Sequence, residues 1–387
     1  MERKKNKVLI IITLFSIGGA TETVISLATG LKKKGFDVDI LTGPPLPNEG
    51  NMLHQAPEDE LNVNILSTLV RDIHPIKDVA AFLFIRKFIR QGGYGIVHTH
   101  SSKAGVLGRI AAWFTKTPIV IHTIHGLPYH EYQSILVKHA YILIERLCAA
   151  LSSRIICVTH AIVDNCVHNK IASREKFIVI RSGLQTEKYK TQGIARLEIR
   201  KKFNFRENDI VAGVISRIAP LKGHEYIIEL AKRMRKDFPQ LKFFLVGDGE
   251  SGASVRYAVK EHQLEENVIL SGMVNPDEIP RMIDAMDFVI HPSLREGLAR
   301  VLPQSIIMGK RVITFNLDGV KEIIVDGVSG YSVEIGNFEA LHQACLKICN
   351  EGVHKQINDN FRLRVQKEFD SETMLEQHID LYSNVTI

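Results

Sequence analysis

The chain has no stretch of about eighteen consecutive apolar residues, so no segment reads as a membrane-spanning helix. Cysteine is scarce and its number is odd: Cys148, Cys157, Cys166, Cys345 and Cys349, with no CxxC pair. A disulfide framework and the common structural zinc sites are thereby excluded. Cys345 and Cys349 share one face of an expected helix, but two ligands do not make a zinc site. All five cysteines are expected to be small buried hydrophobes in a reducing compartment. The loop after the first apolar run matches neither GxGxxG nor GxxxxGK(S/T), which argues against a nicotinamide fingerprint and excludes a P-loop there. No segment is low-complexity. The basic start, Met1 to Lys7, precedes an apolar run as a signal peptide's would. That run is only about eight residues long, lacks a small-residue cleavage site and meets Gly18-Gly19 at once, so a buried first strand is expected.

What is present is an ordinary globular balance, 45% hydrophobic and 24% charged, over 387 residues, enough for two domains. The net charge of +6 is uneven. Residues 1–190 hold 24 Lys and Arg against 15 Asp and Glu, whereas the remainder holds 25 against 28. A basic N-terminal half points to an anionic partner: a membrane surface, a pyrophosphate-bearing lipid or nucleic acid. An ordinary solvated surface accounts for the charge equally well.

Short apolar runs at 7–15, 37–42, 63–66, 96–99, 119–123, 155–158 and 177–180 alternate with helix-period segments at 21–34, 77–90, 103–115 and 132–152. After a polar joint near 181–192 the alternation restarts. Strands are expected at 210–215, 242–246, 268–270, 288–291, 311–315 and 331–333, and a helix at 223–237. Alternation of this kind predicts α/β architecture, two parallel sheets each covered by helices on both faces. The expected domains are 1–185 and 190–369, with the tail 370–387 packing back on the first. Ligands in such sheets bind beyond the C-terminal strand ends, and with two similar domains the expected site is the cleft between them.

Four loops have chemistry to offer. Gly18 and Gly19 let backbone approach a ligand in front of a helix N-terminus. Arg217 and Lys222 stand between a strand and a helix, an arrangement suited to clamping a diphosphate. Glu296 precedes a helix start whose amides at Leu298, Ala299, Arg300 and Val301 are expected to be free donors. His98, His100, His122 and His125 sit at two adjacent strand ends; their spacing fits no common metal pattern, and alternate ones point to opposite faces. A polar substrate contact by His125 is expected instead. For each loop a purely structural reading also stands. Asp37-Val38-Asp39 has the form of a metal-binding DxD but lies within an expected strand, where it reads as surface alternation.

Taken together, these segments resemble the retaining GT-B glycosyltransferases of family four. The motifs are Gly18-Gly19-Ala20, IVHTHSSKAG from Ile96, HTIHG from His122, SRIAPLKG from Ser216, FFLVGDG from Phe243, ILSGMV from Ile269, HPSLREGLARVLPQ from His291 and DGVKEIIVDGVSGY from Asp318. They cover nearly the whole chain in order. The resemblance implies GT-B architecture, two doubly wound Rossmann-like domains facing across a cleft. It implies that Arg217, Lys222, Glu296 and His125 serve catalysis. Gly18, Gly19, Gly247, Gly272, Met273, Val274, Leu298, Ala299, Arg300, Val301 and Gln304 would bind the donor, and His100 and Ser101 would lie on the acceptor side. The family's Glu-x7-Glu element has Glu296 as its first acid, but Gln304 stands where the second is expected. Gln can still hydrogen-bond a ribose diol, without the charge.

The expected function is therefore transfer of a sugar from a nucleotide diphosphate sugar, with UDP implied by the family, to a glycan or lipid-linked acceptor. Retention, no metal and no other cofactor are implied. No carboxylate pair stands out of the kind glycosidases use. The helix at 81–90 interleaves apolar and basic residues, as one lying on an anionic membrane would, and as a core helix with a solvated basic edge would also. The protein is expected to be cytoplasmic, peripheral on the inner face of the cell membrane, and not to bind nucleic acid. A nucleotide-sugar 2-epimerase of the same architecture and a non-catalytic nucleotide-sugar-binding protein are the alternatives.

Overall fold

The computed structural model describes residues 4–46, 50–53, 56, 61–190, 193–317, 319–353 and 355–385. Residues 1–3 of the basic start, Thr191 and Gln192 of the expected joint, Asp318, and Thr386 and Ile387 at the end of the tail lie outside them. The chain divides into two compact units, 1–184 with 369–387, and 185–368.

The first unit contains β1 (Lys4–Leu14), α1 (Gly19–Lys33), β2 (Asp37–Gly43), β3 (Asn62–Ile65), α2 (Pro75–Gly92), β4 (Tyr94–His100), α3 (Ser102–Phe114), β5 (Ile119–Ile124), α4 (Ile135–Ala150), β6 (Arg154–Cys157), α5 (His160–His168) and β7 (Phe177–Val179). The second contains α6 (Ile194–Lys202), β8 (Ile210–Ile215), α7 (His224–Met234), β9 (Leu241–Val246), α8 (Gly252–Glu261), β10 (Val268–Leu270), α9 (Ile279–Ala285), β11 (Phe288–His291), α10 (Val301–Ile307), β12 (Arg311–Phe315), α11 (Val320–Ile323), β13 (Gly330–Val333), α12 (Phe338–Glu351) and α13 (Asp359–Glu368). The last helix, α14 (Ser371–Asn384), belongs to the first unit.

Both sheets are parallel throughout. Their strand orders are β3-β2-β1-β4-β5-β6-β7 and β10-β9-β8-β11-β12-β13. Strands buried on both faces must be apolar at every position rather than at alternate ones. β1 shows it: Val8, Ile10 and Ile12 pack towards α1 and α14, while Leu9 and Ile11 pack towards α2 and α3. In the second unit Phe243, Leu245, Phe288, Ile290, Ile313 and Phe315 form the equivalent core.

Three expectations need correction. Asp39 is not on the surface: it is buried, accepting from the Tyr94 hydroxyl at 2.6 Å and from Asn62 Nδ2 at 2.6 Å. Its role is to satisfy the buried Tyr94 hydroxyl at the sheet. Cys349 is half-buried, whereas the other four cysteines are buried; none forms a disulfide. The long fourth helix starts later than its apolar pattern suggests, because Ser134 caps it by accepting from Val137 N. α4 is tied to α3 by a buried ion pair, Arg109 Nη2 to Glu145 Oε2 at 3.0 Å.

Buried histidines gather on the α14 side of the first sheet. His98 Nδ1 meets the Tyr382 hydroxyl at 2.6 Å, and its Nε2 meets Thr123 Oγ1 at 2.7 Å. His100 lies beside it, ring centroids 4.3 Å apart, and His378 Nδ1 donates to Met374 O at 2.8 Å. His122 points to the other face and donates from Nδ1 to Thr99 O at 3.1 Å. Burial lowers the pKa of all four, His378 to about 4, with neighbouring charges adding to the effect in His98, His100 and His122.

Folded, these imidazoles are neutral; unfolded, each takes up a proton below its ordinary value near 6.5. Unfolding therefore binds protons and stability rises with pH. The contribution is complete above about pH 6.5 and shrinks as the pH falls, by up to about 1.4 kcal/mol per pH unit for each histidine still neutral when folded. Urea melts between about pH 7.5 and 5 should record this slope, and His378→Gln should flatten it by one proton's worth. A flat profile would mean that the folded imidazoles are already charged.

Candidate functional site

In each unit the strand order reverses at one place, between β1 and β4 and between β8 and β11. The loops leaving two such strands diverge to opposite faces of the sheet and open a crevice at its C-terminal edge. The sequence-predicted residues collect there. Gly18 and Gly19 follow β1, and His100 and Ser101 stand at the end of β4; His125 follows β5, one strand further out. Arg217 and Lys222 follow β8, and Glu296 to Val301 follow β11. Gly247 follows β9, and Gly272, Met273 and Val274 follow the edge strand β10.

In the second unit the loops interlock. Leu294 N donates to Leu221 O at 2.8 Å, joining the β11 loop to the β8 loop. Ile218 N donates to Asp248 O at 3.0 Å, joining β8 to β9, and Gly247 N donates to Gly272 O at 3.2 Å, joining β9 to β10. Two glycines are required by this closeness. Gly223 has φ +76, and a Cβ there would lie 1.9 Å from Pro292 O. Gly247 has φ +131, and a Cβ there would lie 2.2 Å from Ser216 O. Leu221, with φ +66, holds a left-handed backbone that a branched residue adopts only under constraint from its surroundings.

Lys222 and Glu296 are brought into a direct ion pair, Nζ to Oε1. His291 Nε2 lies 3.3 Å from the same carboxylate oxygen. Burial pushes Glu296 up, but Lys222 and His291 outweigh it and hold the carboxyl at about 2. Glu296 is therefore ionised at any working pH: it accepts hydrogen bonds and has no proton to give. His224, at the start of α7, is lowered to about 4 by burial, helped by His291 and Lys222, and so stays neutral. Arg217 is exposed at the head of the same loop. The amides of Leu298 and Ala299 have no backbone partner among the described residues. Gln304 is buried in α10, and its Nε2 donates to the Tyr189 hydroxyl at 2.7 Å.

The first unit supplies a different chemistry. A Cβ on Gly18 would meet nothing within 4 Å, so the fold does not demand glycine there; a ligand lying against the backbone would. Ser101, which opens α3, has φ 65 and ψ 156, a region that is nearly glycine's alone. Such strain persists only where surrounding structure enforces it. Ala104 N donates to Thr13 Oγ1 at 3.1 Å, fixing the start of α3 against the end of β1. His100 Nδ1 and His125 Nε2 share a hydrogen bond at 2.9 Å, with stacked rings. His100 is fully buried and neutral, and His125 is half-buried.

His291, His224, Tyr189, His378 and Tyr382 are functional or supporting residues that the sequence alone does not single out. His291 ends an apolar strand five residues before Glu296, and that was the one available signal. Tyr189 and Tyr382 reach their partners across 115 and 284 residues, and no local pattern reports that. No group of three or more His, Cys, Asp or Glu among the described residues is arranged to hold a metal ion.

Residues 17–188 match the family model described as Glycosyltransferase Family 4, and residues 195–364 match Glycosyl transferases group 1. A UDP-Gal:alpha-D-GlcNAc-diphosphoundecaprenol alpha-1,3-galactosyltransferase of Escherichia coli is 27% identical over 361 residues, covering 92% of this chain and 91% of that protein. The capsular polysaccharide biosynthesis glycosyltransferase CapM of Staphylococcus aureus is 26% identical over 367 residues, 91% of each. Among solved structures, Anabaena HepE in complex with UDP and glucose matches with a TM-score of 0.81 at 21% identity, over 97% of this chain and 99% of that one. Sucrose-phosphate synthase of Thermosynechococcus elongatus matches with 0.82 at 18% identity, over 98% and 99%. With its two halves matched by these two models and its fold shared with these structures, the chain belongs to the GT-B glycosyltransferases of family four, glycosyl transferases group 1.

Proposed function

We propose that this glycosyltransferase moves a hexosyl group from a UDP-sugar to a lipid-linked or growing cell-surface glycan, with retention at the anomeric carbon and without a metal ion. The observation that carries this reading is the Lys222–Glu296 pair at the β8/β11 reversal, with Arg217 at the head of the same loop. Two cations beside unpartnered amides suit a diphosphate, and an ionised carboxylate suits sugar hydroxyls. Uridine is supported by the Escherichia coli relative, whose name gives UDP-Gal as donor, and by HepE, which holds UDP. A lipid-linked acceptor is supported by the same relative's diphosphoundecaprenol substrate. No helix among the described residues is long and apolar enough to cross a membrane, and the enzyme is read as peripheral on the cytoplasmic face.

In the proposed step an acceptor hydroxyl oxygen attacks the anomeric carbon from the face the diphosphate leaves. The bond from that carbon to the β-phosphate oxygen breaks, and the hydroxyl proton passes to the departing phosphate. The protein's part is to position the reactants and to stabilise the charge that grows on phosphate. Arg217, Lys222 and the backbone at 298–301 take the diphosphate and Glu296 orients the sugar, while in the first unit His125 and the Gly18-Gly19 loop are assigned to substrate contacts. Gly272 to Val274 line the base, with Gly247 beside them. Gln304 meets the ribose, and His100 and Ser101 stand on the acceptor side.

Release of nucleotide diphosphate from a panel of UDP-, GDP- and ADP-sugars, in EDTA and with or without a lipid extract, tests the reading. Lipid-stimulated release from a UDP-sugar is expected, and a requirement for added divalent metal would overturn the metal-free step. Arg217→Ala is expected to lose on the order of a hundredfold in kcat, as when one preorganised donor is removed; near-normal kcat would remove Arg217 from the clamp. Gln304→Glu is expected to retain turnover and alter KM for the donor, since the new carboxylate can accept from the Tyr189 hydroxyl in place of the amide that donates to it. Complete loss of turnover would contradict the ribose assignment.

A further inference from the structure

Helix α4 is inverted with respect to an ordinary surface helix. Its inward face carries Glu145, paired with Arg109, together with Ile142 and Cys148. Its outward face carries Leu136, Ala140, Leu143 and Leu147, at intervals of four, three and four residues, a single stripe along the helix. Leu136 is 82% exposed and Leu147 63%. A leucine stripe on the solvent side calls for a cover.

The stripe does not stand alone. α3 packs against both α4 and α2. At the end of α3 the chain's single tryptophan, Trp113, is 56% exposed and stacks edge-on against exposed Phe114. Phe114 in turn meets Phe82 of α2 and lies beneath the guanidinium of Arg86. α2 buries Ala81, Ile85 and Ile89 and turns Ile76, Leu83 and Phe84 outward. The 81–90 segment, with its interleaved apolar and basic residues, is thus one edge of a wider surface whose most apolar part is α4.

The charge on this layer selects the cover. Residues 75–150 hold nine Lys and Arg against three Asp and Glu. Of the three acids, Asp78 pairs with Lys103, Glu131 with Lys138 and Glu145 with Arg109. Arg86, Lys87, Arg90 and Lys116 are exposed among the apolar side chains. Lysine is depleted from the core of protein–protein interfaces. Apolar anchors interleaved with Lys and Arg, with tryptophan at the boundary, are the pattern of a surface that rests in the headgroup region of an anionic bilayer. Lysine stems lie along the apolar layer while their ammonium groups reach phosphate. Moreover, α2, α3 and α4 each begin where a strand of this parallel sheet ends, so their first turns border the edge that carries His100 and His125.

We infer that the outer surface of α2, α3 and α4 is a docking face for an anionic lipid bilayer, which would deliver the acceptor to the first unit. The inference rests on the lipid-linked acceptor reading and adds to it the surface that meets the membrane. Trp113 reports on it directly. With the full-length protein at low salt, vesicles of phosphatidylglycerol are expected to shift tryptophan emission to the blue, and brominated lipid to quench it, whereas phosphatidylcholine vesicles do neither. The double variant Leu136→Asp, Leu143→Asp should weaken vesicle binding at least about tenfold through lost apolar burial. Lys87→Glu with Arg90→Glu, which leaves the leucines in place, should weaken it by a similar factor through charge.

Thermal stabilisation by UDP, measured on the same samples, should be unchanged in both variants. Unshifted Trp113 emission with anionic vesicles, in protein that UDP still stabilises, would overturn the docking face and leave the donor reading intact. Failure of UDP to stabilise the protein would count against the donor reading alone. A dimer in sedimentation that the double leucine variant dissociates, with no response to vesicles, would overturn the inference in favour of a second copy of the chain.

Discussion

Everything in this molecule follows from strands that run the same way and are buried on both sides. A parallel sheet cannot be closed by hairpins, and here β1, β3 to β6 and β8 to β12 are each followed by a helix that carries the chain back. All the strand-to-helix loops then fall on one edge. Where the strand order reverses, two of those loops part and leave a crevice. In the second unit Arg217, Lys222 and Glu296 fall at that point, and the tight approach of Gly223 to Pro292 and of Gly247 to Ser216 holds their loops in one arrangement. In the first unit the same rule puts Gly18 and Ser101 on the two flanking loops.

The two crevices differ in electrostatic character. The second unit offers fixed charge: two cations and a carboxylate that stays ionised. The first offers neutral imidazole, with His100 uncharged because it is buried. The proposed step asks for that division. A diphosphate arriving with its charge needs compensation, whereas an acceptor hydroxyl needs an orienting partner that does not compete for the phosphate. Tyr382, bonded to His98 against which His100 stacks, connects this neutral layer to the last helix.

Much of this was legible in the chain itself, for a physical reason. Fully buried parallel strands must be continuous runs of Val, Ile, Leu and Phe, so β8, β11 and β12 stand in the residue pattern with the bounds that the fold gives them. The loops that follow them carry Arg, Lys, Glu and Gly against that apolar background and stand out equally. Strand order was not legible, because it is decided by packing between distant segments. Helices α8 and α13 carry little signal in the sequence, since Gly252 opens one in a turn-like context and the other buries only Val365. The burial of Asp39 is hidden because alternation along a strand is a poor guide when both faces are covered; only its bonds to Tyr94 and Asn62 reveal why a carboxylate sits there. The bond from Gln304 to Tyr189 was equally hidden, since both residues look unremarkable where they stand.

The second unit is an insertion: the chain leaves the first at Leu184 and rejoins it at Phe369, where Leu184 N donates to Phe369 O at 2.7 Å and Ser371 N to Leu184 O at 2.9 Å. A ribosome reads in one direction, so the half that begins first is finished last. Until α14 emerges, Val8, Ile10 and Ile12 lack the cover of Met374, Leu375 and Leu381, and His98 lacks Tyr382. The inserted unit can complete its own core while its predecessor waits as an unfinished intermediate with exposed apolar surface. A nascent chain interrupted before α14 would therefore carry its damage not at the interruption but in β1, far back along the chain.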